Sequence, residues 1–424
     1  MFRQFLVRCD PFKWRNCQKQ AVMWRKHDAR CIGTSISSSG FEKDPSVPPI
    51  QKHFTLPALK LIDTYAFYSV APSMGHNKES HPESNLRVPA ILSAIEKMKL
   101  TSKYRGANII DFDEFKPASV NDITNVHSKA YVADLEQAIN KNSEKGIVHI
   151  GETGPTYATA STFNDSLLAA GAGLSLVDSV VASLKWRSNP PVGFALIRPP
   201  GHHATPTGPM GSCVFNNVAI AARHAQLVHG LKRVFIIDFD AHHGNGTSDA
   251  FYDDPDVFFL STHQDGIFPG TGHVHEVGHG SGEGTTVNLP LPEGSGDHAM
   301  RSVFDEVIVP SAQRFNPDII LVSAGYDAHV LDPVANLQFT TGTYHWLASN
   351  IKQLAKDLCE GRCVFFLEGG YNLDSLSHSV ADTFRGFLGE ESKASEFDDP
   401  AILAAEPSAK VKELIQRVKS IHSL

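Results

Sequence analysis

Residues 234–245 read Val-Phe-Ile-Ile-Asp-Phe-Asp-Ala-His-His-Gly-Asn, and this stretch is the most informative part of the chain. Its first four residues are apolar, which is typical of a buried parallel strand. Side chains two apart at a strand end point the same way, so Asp240 and His242 are predicted to face a common point. Catalytic zinc sites take three protein ligands and leave the fourth position to water. The stretch therefore predicts a metal site that needs one more ligand from elsewhere.

Three other segments have the same order of residues, a short apolar run followed by Gly and polar side chains. They are Phe194–Ile197 before Arg-Pro-Pro-Gly-His-His, Ile319–Val322 before Ser-Ala-Gly-Tyr-Asp, and Val364–Leu367 before Glu-Gly-Gly-Tyr. In an open parallel α/β sheet, ligands bind beyond the carboxyl ends of the strands. We therefore predict a mostly parallel central sheet with helices on both faces and an active site at the C-terminal strand ends. The side chains gathered there are His202, His203, Asp240, His242, Asp327 and Tyr371.

Each of these residues also has an ordinary structural interpretation. A lone Asp at a strand end is more often a helix cap or turn former than a ligand, and a His pair can be a satisfied polar group. Four strand ends that each carry a different part of one hydrolytic site are difficult to explain by chance. We therefore favour a metal-dependent hydrolytic site.

Five motifs, in this order, resemble those of the zinc-dependent histone deacetylase family, which has an arginase-like α/β fold. They are Arg-Pro-Pro-Gly-His-His-Ala from Arg198, Asp-Phe-Asp-Ala-His-His-Gly-Asn-Gly-Thr from Asp238, Phe-Pro-Gly-Thr-Gly from Phe268, Ala-Gly-Tyr-Asp from Ala324, and Leu-Glu-Gly-Gly-Tyr-Asn from Leu367. The resemblance covers residues 62–388 and is strongest to the class II-like branch, in particular to plant organellar deacetylases. It implies zinc-dependent hydrolysis of an N-acyl amide, with acetyl-lysine in proteins as the leading substrate.

The resemblance also implies a role for each site residue. The implied zinc ligands are Asp240, His242 and Asp327. His203 would take a proton from the metal-bound water and deliver it to the leaving amine, with His202 as its electrostatic partner. Tyr371 would donate its O–H to the developing oxyanion, and Gly370 would allow the close backbone approach beside it. These roles fit amide hydrolysis, which needs an activated water, oxyanion donors and a proton for the amine.

Two further residues are implied to orient the histidines. Asp238 would hold His202, and Asn245 would hold His203. Many relatives carry Asp at the second position, whereas class II-like members carry Asn. A neutral amide accepts a hydrogen bond without adding negative charge, so His203 should be less basic than beside a carboxylate.

The family binds potassium beside the zinc strand, mostly through backbone carbonyls. The residues implied for the first site are Asp238, Asp240, His242, Ser261 and Thr262. The residues implied for the second site are Phe251, Asp254 and Val257. Since carbonyl ligands do not depend on the side chain, residue identity says little about either site.

The acyl-lysine tunnel departs from the family pattern. Phe268 supplies one of the two expected Phe rings, but the family's Gly-Phe-Cys is Gly-Ser-Cys from Gly211, which puts Ser212 in the place of the other ring. Burying a Phe face contributes about 1.5–3 kcal/mol, so we expect a wider, more polar tunnel that selects less strongly for a lysine stem.

Val334 stands where polyamine-deacetylating relatives carry a gatekeeper Glu, which argues against polyamines as substrates. Arg87 either lines an internal acetate-release region, as in the family, or is an ordinary surface charge.

Two alternatives to a protein-lysine deacetylase remain open. The first is an amidohydrolase of small N-acetylated amines, which Ser212 favours. The second is a non-catalytic acyl-lysine binding protein, against which the complete set of catalytic residues argues.

The amino-terminal segment differs in charge from the rest of the chain. Residues 1–40 hold eight Lys or Arg and two Asp or Glu, whereas the whole chain has a net charge of −8, so residues 41–424 carry −14. An Arg-rich, Ser-containing, acid-poor segment is typical of a transit peptide, and a basic disordered tail is the alternative. We expect residues 1–60 to be a leader and residues 61–424 a single deacetylase domain. Chloroplast stroma and mitochondrial matrix are both compatible, as are cytoplasm and nucleus.

Composition limits the partners of the body. The chain is 42% hydrophobic and 20% charged, as in soluble enzymes, and it lacks a run of 18 apolar residues, so no membrane span is expected. An acidic body binds DNA phosphate poorly but can attract basic protein tails or cationic amines.

The chain has six Cys but no Cys-x-x-Cys pair, which indicates a reduced compartment. The spacing of apolar residues predicts an amphipathic helix over residues 408–422, packed on the body or at a dimer contact, so monomer and homodimer both remain open.

Overall fold

The structure is a computed structural model that describes residues 64–142, 146–151, 156–185 and 190–424. The leader predicted over residues 1–60 lies outside the described residues. The strands are β1 (Ala66–Ala71), β2 (Ile109–Phe112), β3 (Val148–His149), β4 (Tyr157–Ala158), β5 (Val192–Ile197), β6 (Val234–Asp238), β7 (Val257–Gln264), β8 (Thr286–Leu291), β9 (Ile319–Ala324) and β10 (Cys363–Leu367). The helices are α1 (Arg87–Lys97), α2 (Ser102–Arg105), α3 (Val120–Thr124), α4 (Lys129–Lys141), α5 (Thr162–Ser183), α6 (Asn217–His229), α7 (Asn245–Phe251), α8 (Asp297–Val303), α9 (Val309–Phe315), α10 (Thr341–Cys359), α11 (Leu373–Leu388) and α12 (Ser408–His422). A π-helical segment, Phe304–Ile308, joins α8 to α9.

Eight strands form one parallel sheet in the order β2-β1-β5-β10-β9-β6-β7-β8, while β3 and β4 pair separately and antiparallel. The mostly parallel α/β fold predicted from the sequence is confirmed. Every residue of β5, β6, β9 and β10 is buried. Continuous burial explains why these strands read as unbroken apolar runs, since both of their faces are covered.

Helices cover both faces of the sheet and enclose two hydrophobic cores. One core joins the sheet to α1, α10, α11 and α12, and the other joins it to α4, α5 and α6. Successive side chains of β10 alternate between them, with Phe365 in the first core and Phe366 in the second.

The four apolar runs recognised in the sequence are the four adjacent central strands, β5, β10, β9 and β6. Their registers align the carboxyl ends: Leu367 of β10 pairs with Ala324 of β9, and Asp238 of β6 pairs with Ser323 of β9. The polar residues that follow each run therefore meet at one edge of the sheet, which is where ligands bind in open α/β folds.

Helix α5 is long and apolar enough, by length and composition, to cross a bilayer, and 61% of its apolar window is buried within the fold. It packs against β1, β5 and α6. A Cβ at Gly173 would lie 2.3 Å from Cε1 of Phe366, so the helix approaches the sheet at van der Waals contact. In this structure the apolar face of α5 belongs to the core.

The carboxyl-terminal helix α12 has the amphipathic character expected of its sequence. It packs on β8, α8 and the π-helical segment. The apolar residues of its inner face are Val411, Leu414, Ile415 and Val418, and all of them are buried.

Candidate metal and catalytic site

The three residues proposed as metal ligands lie together at the ends of β6 and β9. One ligand atom from each of Asp240, His242 and Asp327 falls within 4.8 Å of the others. His242 Nδ1 lies 2.9 Å from Asp327 Oδ2 and 3.1 Å from Asp240 Oδ1. Both carboxylates are buried, and the imidazole is nearly so. Two carboxylate oxygens and an imidazole nitrogen are a donor set that suits a catalytic zinc ion.

Backbone groups hold the two carboxylates in place. The N–H of Gly369 donates to Asp240 Oδ2 (2.8 Å), and the N–H of Ala241 donates to Asp327 Oδ1 (2.9 Å). A Cβ at Gly369 would lie 2.4 Å from Asp327 Oδ2 and 2.7 Å from Asp240 Oδ2. The absence of a side chain at this Gly is therefore what lets the two acids approach each other.

The charges of the cluster fit a bound cation. Burial opposes a charged imidazole, but the carboxylates of Asp327 and Asp240 together hold the pKa of His242 well above its usual range. Burial also opposes ionisation of Asp240, yet the neighbouring His202 and His242 lower its pKa. The carboxylates of Asp240 and Asp327 thus favour a positive charge between them. A bound divalent ion would supply that charge, and His242 would then be neutral.

The tandem histidines lie directly beside this cluster, with ring centroids 4.1 Å apart. His202 Nδ1 lies 3.0 Å from Asp238 Oδ2, and His203 Nδ1 lies 2.8 Å from Asn245 Oδ1. Both pairings are the ones that the resemblance implied. Each ring therefore turns its Nε2 away from its partner, since the partner occupies Nδ1.

The two histidines have opposite electrostatic environments. Burial opposes protonation of His202, but the carboxylates of Asp240, Asp238 and Glu368 raise its pKa to about 10. Burial and the positive charges of His202 and His242 hold the pKa of His203 well below its usual range. At neutral pH the first ring is a cation and the second a free base.

Tyr371 follows β10 and is placed by two groups. Its backbone N–H donates to Asp332 Oδ2 (2.6 Å), and its ring packs on the guanidinium of Arg87 at 5.2 Å. Burial, then the charges of Asp327 and Asp240, raise the pKa of the phenol well above its usual range. The hydroxyl therefore stays protonated and able to donate a hydrogen bond. Gly370 has a φ of +117°, and a Cβ there would lie 2.9 Å from Tyr326, so only Gly fits beside it.

Arg87 is fully buried, so the interpretation of this residue as an ordinary surface charge is wrong. Its Nε donates to the carbonyl of Gly370 (2.6 Å) and its Nη2 to the carbonyl of Glu368. Its Nη1 lies 3.1 Å from Glu83 Oε1. The side chain therefore fixes the backbone on both sides of Gly369.

The residues predicted to line a tunnel meet beside His203. The ring of Phe268 stands edge to face with that of His203, at 5.1 Å between centroids, and is partly exposed. Gly211 and Ser212 both have positive φ, +54° and +69°. A Cβ at Gly211 would lie 2.4 Å from His203, so this glycine lets the backbone touch the imidazole. Ser212 is buried and presents a hydroxyl where a second aromatic ring is expected.

Val334 lies on the loop after Asp327 and is partly buried. Its backbone N–H donates to Asp332 Oδ1 (3.2 Å), the same carboxylate that holds Tyr371. Burial and the charge of Asp327 raise the pKa of Asp332 to about 7. Asp332 therefore connects the loop of Val334 to Tyr371, a role that no feature of the surrounding sequence indicates.

Two other buried acids support the site and were missed. Glu368, the first residue after β10, accepts hydrogen bonds from the N–H groups of Gly201 (2.7 Å) and His202 (3.1 Å). Its strand-end position was a usable signal, since the other central strands also end in site residues. Glu83 binds Arg198 Nη2 (2.7 Å) and Arg87 Nη1 (3.1 Å), and its only local signal is a preceding Pro.

His127 was also missed, and it connects the loop after His203 to the start of α6. Its Nδ1 lies 2.9 Å from the carbonyl oxygen of Thr205, and its Nε2 accepts from the N–H of Asn216 (2.9 Å). This pairing fixes the neutral tautomer with the proton on Nδ1. Burial lowers the pKa of His127 to about 4.

The residues implied for potassium fall in two places. Those of the first set lie at and just beyond the end of β6 and on the neighbouring part of β7, where Asp238 pairs with Ser261 and Thr262 Oγ1 donates to the carbonyl of Asp238 (3.4 Å). Those of the second set lie along the connection from α7 to β7, which begins at Phe251 and ends at Val257. The carboxylate of Asp254, between them, is paired with Arg223 Nη1 at 2.6 Å.

The chain belongs to the histone deacetylase family, because the histone deacetylase domain matches residues 81–387. It is 64% identical to histone deacetylase 14, chloroplastic, of Arabidopsis thaliana over 96% of this chain and 94% of that protein. It is 60% identical to histone deacetylase 10, chloroplastic, of Oryza sativa subsp. japonica over 98% of this chain and 93% of that protein. The crystal structure of the HDA15 HD domain superposes with a TM-score of 0.71 at 31% identity, covering 84% of this chain and 95% of that one. The predicted family and its fold are confirmed.

Proposed function

We propose that this protein is a zinc-dependent deacylase that hydrolyses the amide of acetyl-lysine in proteins. The observation that supports this most strongly is the buried group of Asp240, His242 and Asp327 beside a neutral His203. In our proposal these three residues hold the zinc ion, and residues 61–424 form the catalytic domain. When bound, zinc lowers the pKa of a water ligand toward ~7 and polarises the substrate carbonyl.

The protein residues then divide the proton transfers and the charge stabilisation. His203, a free base at neutral pH, accepts a proton from the attacking water and returns it to the leaving amine. His202, held by Asp238 and cationic, stabilises negative charge on the neighbouring groups. Tyr371, whose phenol stays protonated, donates its O–H to the oxyanion.

Acetate release from an acetyl-lysine peptide tests the proposal. We expect the purified chain to release acetate, to lose this activity after chelation, and to recover it with Zn²⁺. Turnover that survives complete removal of the metal would contradict zinc chemistry. Stoichiometric zinc without turnover of any acyl-amine would instead support a non-catalytic acyl-lysine binding protein.

A second candidate function is hydrolysis of small N-acetylated amines, which the buried Ser212 favours. A serine is smaller than an aromatic residue and carries a hydroxyl, so in our proposal Phe268 supplies the aromatic ring on one side of the acyl-amine and Ser212 leaves room for a bulkier one on the other. Val334 offers no carboxylate to a second ammonium group, which disfavours polyamines among these amines. The ratio of kcat/KM for an acetyl-lysine peptide to that for N-acetylated aryl and alkyl amines separates the two functions.

We also propose the two potassium sites, on the residues given above. The pairing of Asp238 with Ser261 supports the first site, where a monovalent cation would stabilise Asp238 and Asp240. Replacement of K⁺ by a bulky organic cation in the buffer should then lower activity, whereas unchanged kinetics at every K⁺ concentration would exclude a catalytic effect of the ion.

We propose an organellar location, with residues 1–60 as a cleavable leader. The charge contrast between the first 40 residues and the body supports this, and two highly similar relatives carry chloroplastic names. Import of the labelled full chain into isolated chloroplasts and mitochondria, followed by measurement of the size of the mature product, distinguishes the two organelles.

A further inference from the structure

A second group of metal-binding side chains lies away from the catalytic edge, on the surface where α5 meets α6. Asp178 projects from α5, and His224 and His229 project from α6. His224 Nε2 and His229 Nε2 each lie 2.7 Å from Asp178 Oδ1. One ligand atom from each of the three residues falls within 4.8 Å of the others. The distances place two imidazole nitrogens and a carboxylate oxygen around one point.

The surrounding structure holds these side chains in that orientation. Gly230 caps the end of helix α6: its N–H donates to the carbonyl of Gln226 (3.2 Å), and the N–H of Leu231 donates to the carbonyl of Ala225 (3.1 Å). These two backbone hydrogen bonds fix the last turn of the helix, and the position of His229 with it. The Nδ1 of His224 is buried and has no hydrogen-bond partner among the described residues, so its ring presents Nε2 to the cluster.

The chemistry of the group suits a borderline transition metal. Imidazole nitrogen is a preferred ligand of Zn²⁺, Cu²⁺ and Ni²⁺, and three protein ligands leave room for water. Burial opposes ionisation of Asp178, but the hydrogen bonds from His224 and His229 lower its pKa, so the carboxylate is charged at neutral pH. The side chain of Asp178 is 52% exposed, and those of the two histidines are 12% and 18% exposed, so an ion can enter from solvent without opening the fold.

We propose that Asp178, His224 and His229 form a second divalent transition-metal site that cross-links α5 to α6. The site is separate from the catalytic group, since its ligands lie on the helical layer and not at the strand ends. An ion bound there stabilises the folded chain, because the three ligands converge only when the two helices are packed.

The number of Zn²⁺ equivalents bound by the metal-depleted full chain tests the proposal. We compare the wild-type chain with His229→Gln and with Asp178→Asn, and we use His298→Gln, which changes an exposed histidine outside the cluster, as the matched control. Both cluster variants should lose one bound equivalent, or bind it ~10–100-fold more weakly, while the control binds as the wild type does. Since the readout is a difference between variants, it does not depend on whether the catalytic edge binds zinc.

Thermal unfolding supplies the second measurement. Saturating Zn²⁺ should raise the Tm of the wild type and of the control by more than that of either cluster variant, with each shift measured against the same protein in its metal-depleted form. Should His229→Gln fail to fold, Asp178→Asn, which keeps the size of the side chain, carries the test. Equal zinc stoichiometry and equal zinc-induced shifts in all four proteins would overturn the proposal and leave the group as a hydrogen-bonded link between the helices.

Discussion

His203 Nδ1 lies 2.8 Å from the amide oxygen of Asn245, so the proposed general base is oriented by a neutral group. The amide is itself held, since its Nδ2 lies 3.3 Å from the sulfur of Met210. His203 is already a weak base because of burial and the positive charges of its neighbours. The structure therefore keeps this imidazole unprotonated well below neutral pH.

Replacement of Asn245 by Asp should raise the pKa that controls the acidic limb of the pH–kcat/KM profile. A carboxylate at this position favours the protonated imidazole, so His203 is lost as a base at a higher pH and activity at acidic pH falls. The profile of Asn245→Asp against the wild type, at constant zinc occupancy, measures the shift. Superimposable acidic limbs would show that His203 does not control this ionisation.

Removal of the hydroxyl of Tyr371 should lower kcat and leave KM nearly unchanged. The phenol is proposed to donate to negative charge that develops only during reaction, and loss of one such donor costs ~10²–10³ in rate. Tyr371→Phe keeps the ring that packs on Arg87, so structure and bound zinc should match the wild type. A variant with full kcat would remove Tyr371 from the mechanism.

Replacement of Ser212 by Phe should restore the second aromatic wall and shift selectivity toward linear acyl-lysine. The buried ring contributes about 1.5–3 kcal/mol, which corresponds to on the order of ten- to a hundredfold in the kcat/KM ratio against bulky acyl-amines. Ser212 has a φ of +69°, which is unfavourable for Ala and Phe alike. Ser212→Ala is therefore the control, because it has the same backbone conformation but adds no ring. If Phe and Ala change the ratio equally, the width of the tunnel at this wall does not set selectivity.

Insertion of a methyl group at Gly369 should weaken metal binding. The added Cβ would press on Asp327 Oδ2 and Asp240 Oδ2 at 2.4 and 2.7 Å, and displacement of supporting groups costs ~10–100-fold in metal affinity. Gly208→Ala is a matched control, because its nearest neighbour is 4.0 Å away and its φ is not positive. Competition with a chromophoric zinc chelator measures both affinities, and equal values would mean that the two acids can move apart without cost.

The fold and the meeting of Asp240, His242 and Asp327 at one sheet edge were predictable, because their signals are local. Asp240 and Asp327 come two and three residues after strands that are buried on both faces, so each strand and its candidate ligand appear in one short stretch of sequence. The supporting contacts are not local. Arg87 binds carbonyls 281 and 283 residues away, and Glu83 binds Arg198 across 115 residues. Such pairs leave no periodic pattern, since their proximity is created only when β5 and β10 become neighbours in the sheet.

His127 is the strongest case of a positioning residue that leaves no signal in its own segment. It lies between α3 and α4, yet both of its hydrogen bonds reach the loop that runs from His203 to α6. Its ring is buried and its pKa is about 4, whereas an unfolded His titrates near ~6.5. The folded protein therefore needs this ring neutral.

Replacement of His127 by Gln should make stability less dependent on pH between about 4 and ~6.5. In this window the unfolded chain binds a proton at this residue that the folded chain does not. The free energy of unfolding of the wild type therefore falls with decreasing pH, by up to about 1.4 kcal/mol per pH unit from this group alone. Gln can still donate and accept hydrogen bonds but does not titrate, so in the variant the free energy of unfolding changes less with pH.

Urea unfolding of the metal-depleted proteins across this pH range measures the difference, with the exposed His275→Gln as control. If the free energy of unfolding changed equally with pH in all three proteins, His127 would be protonated in the folded state.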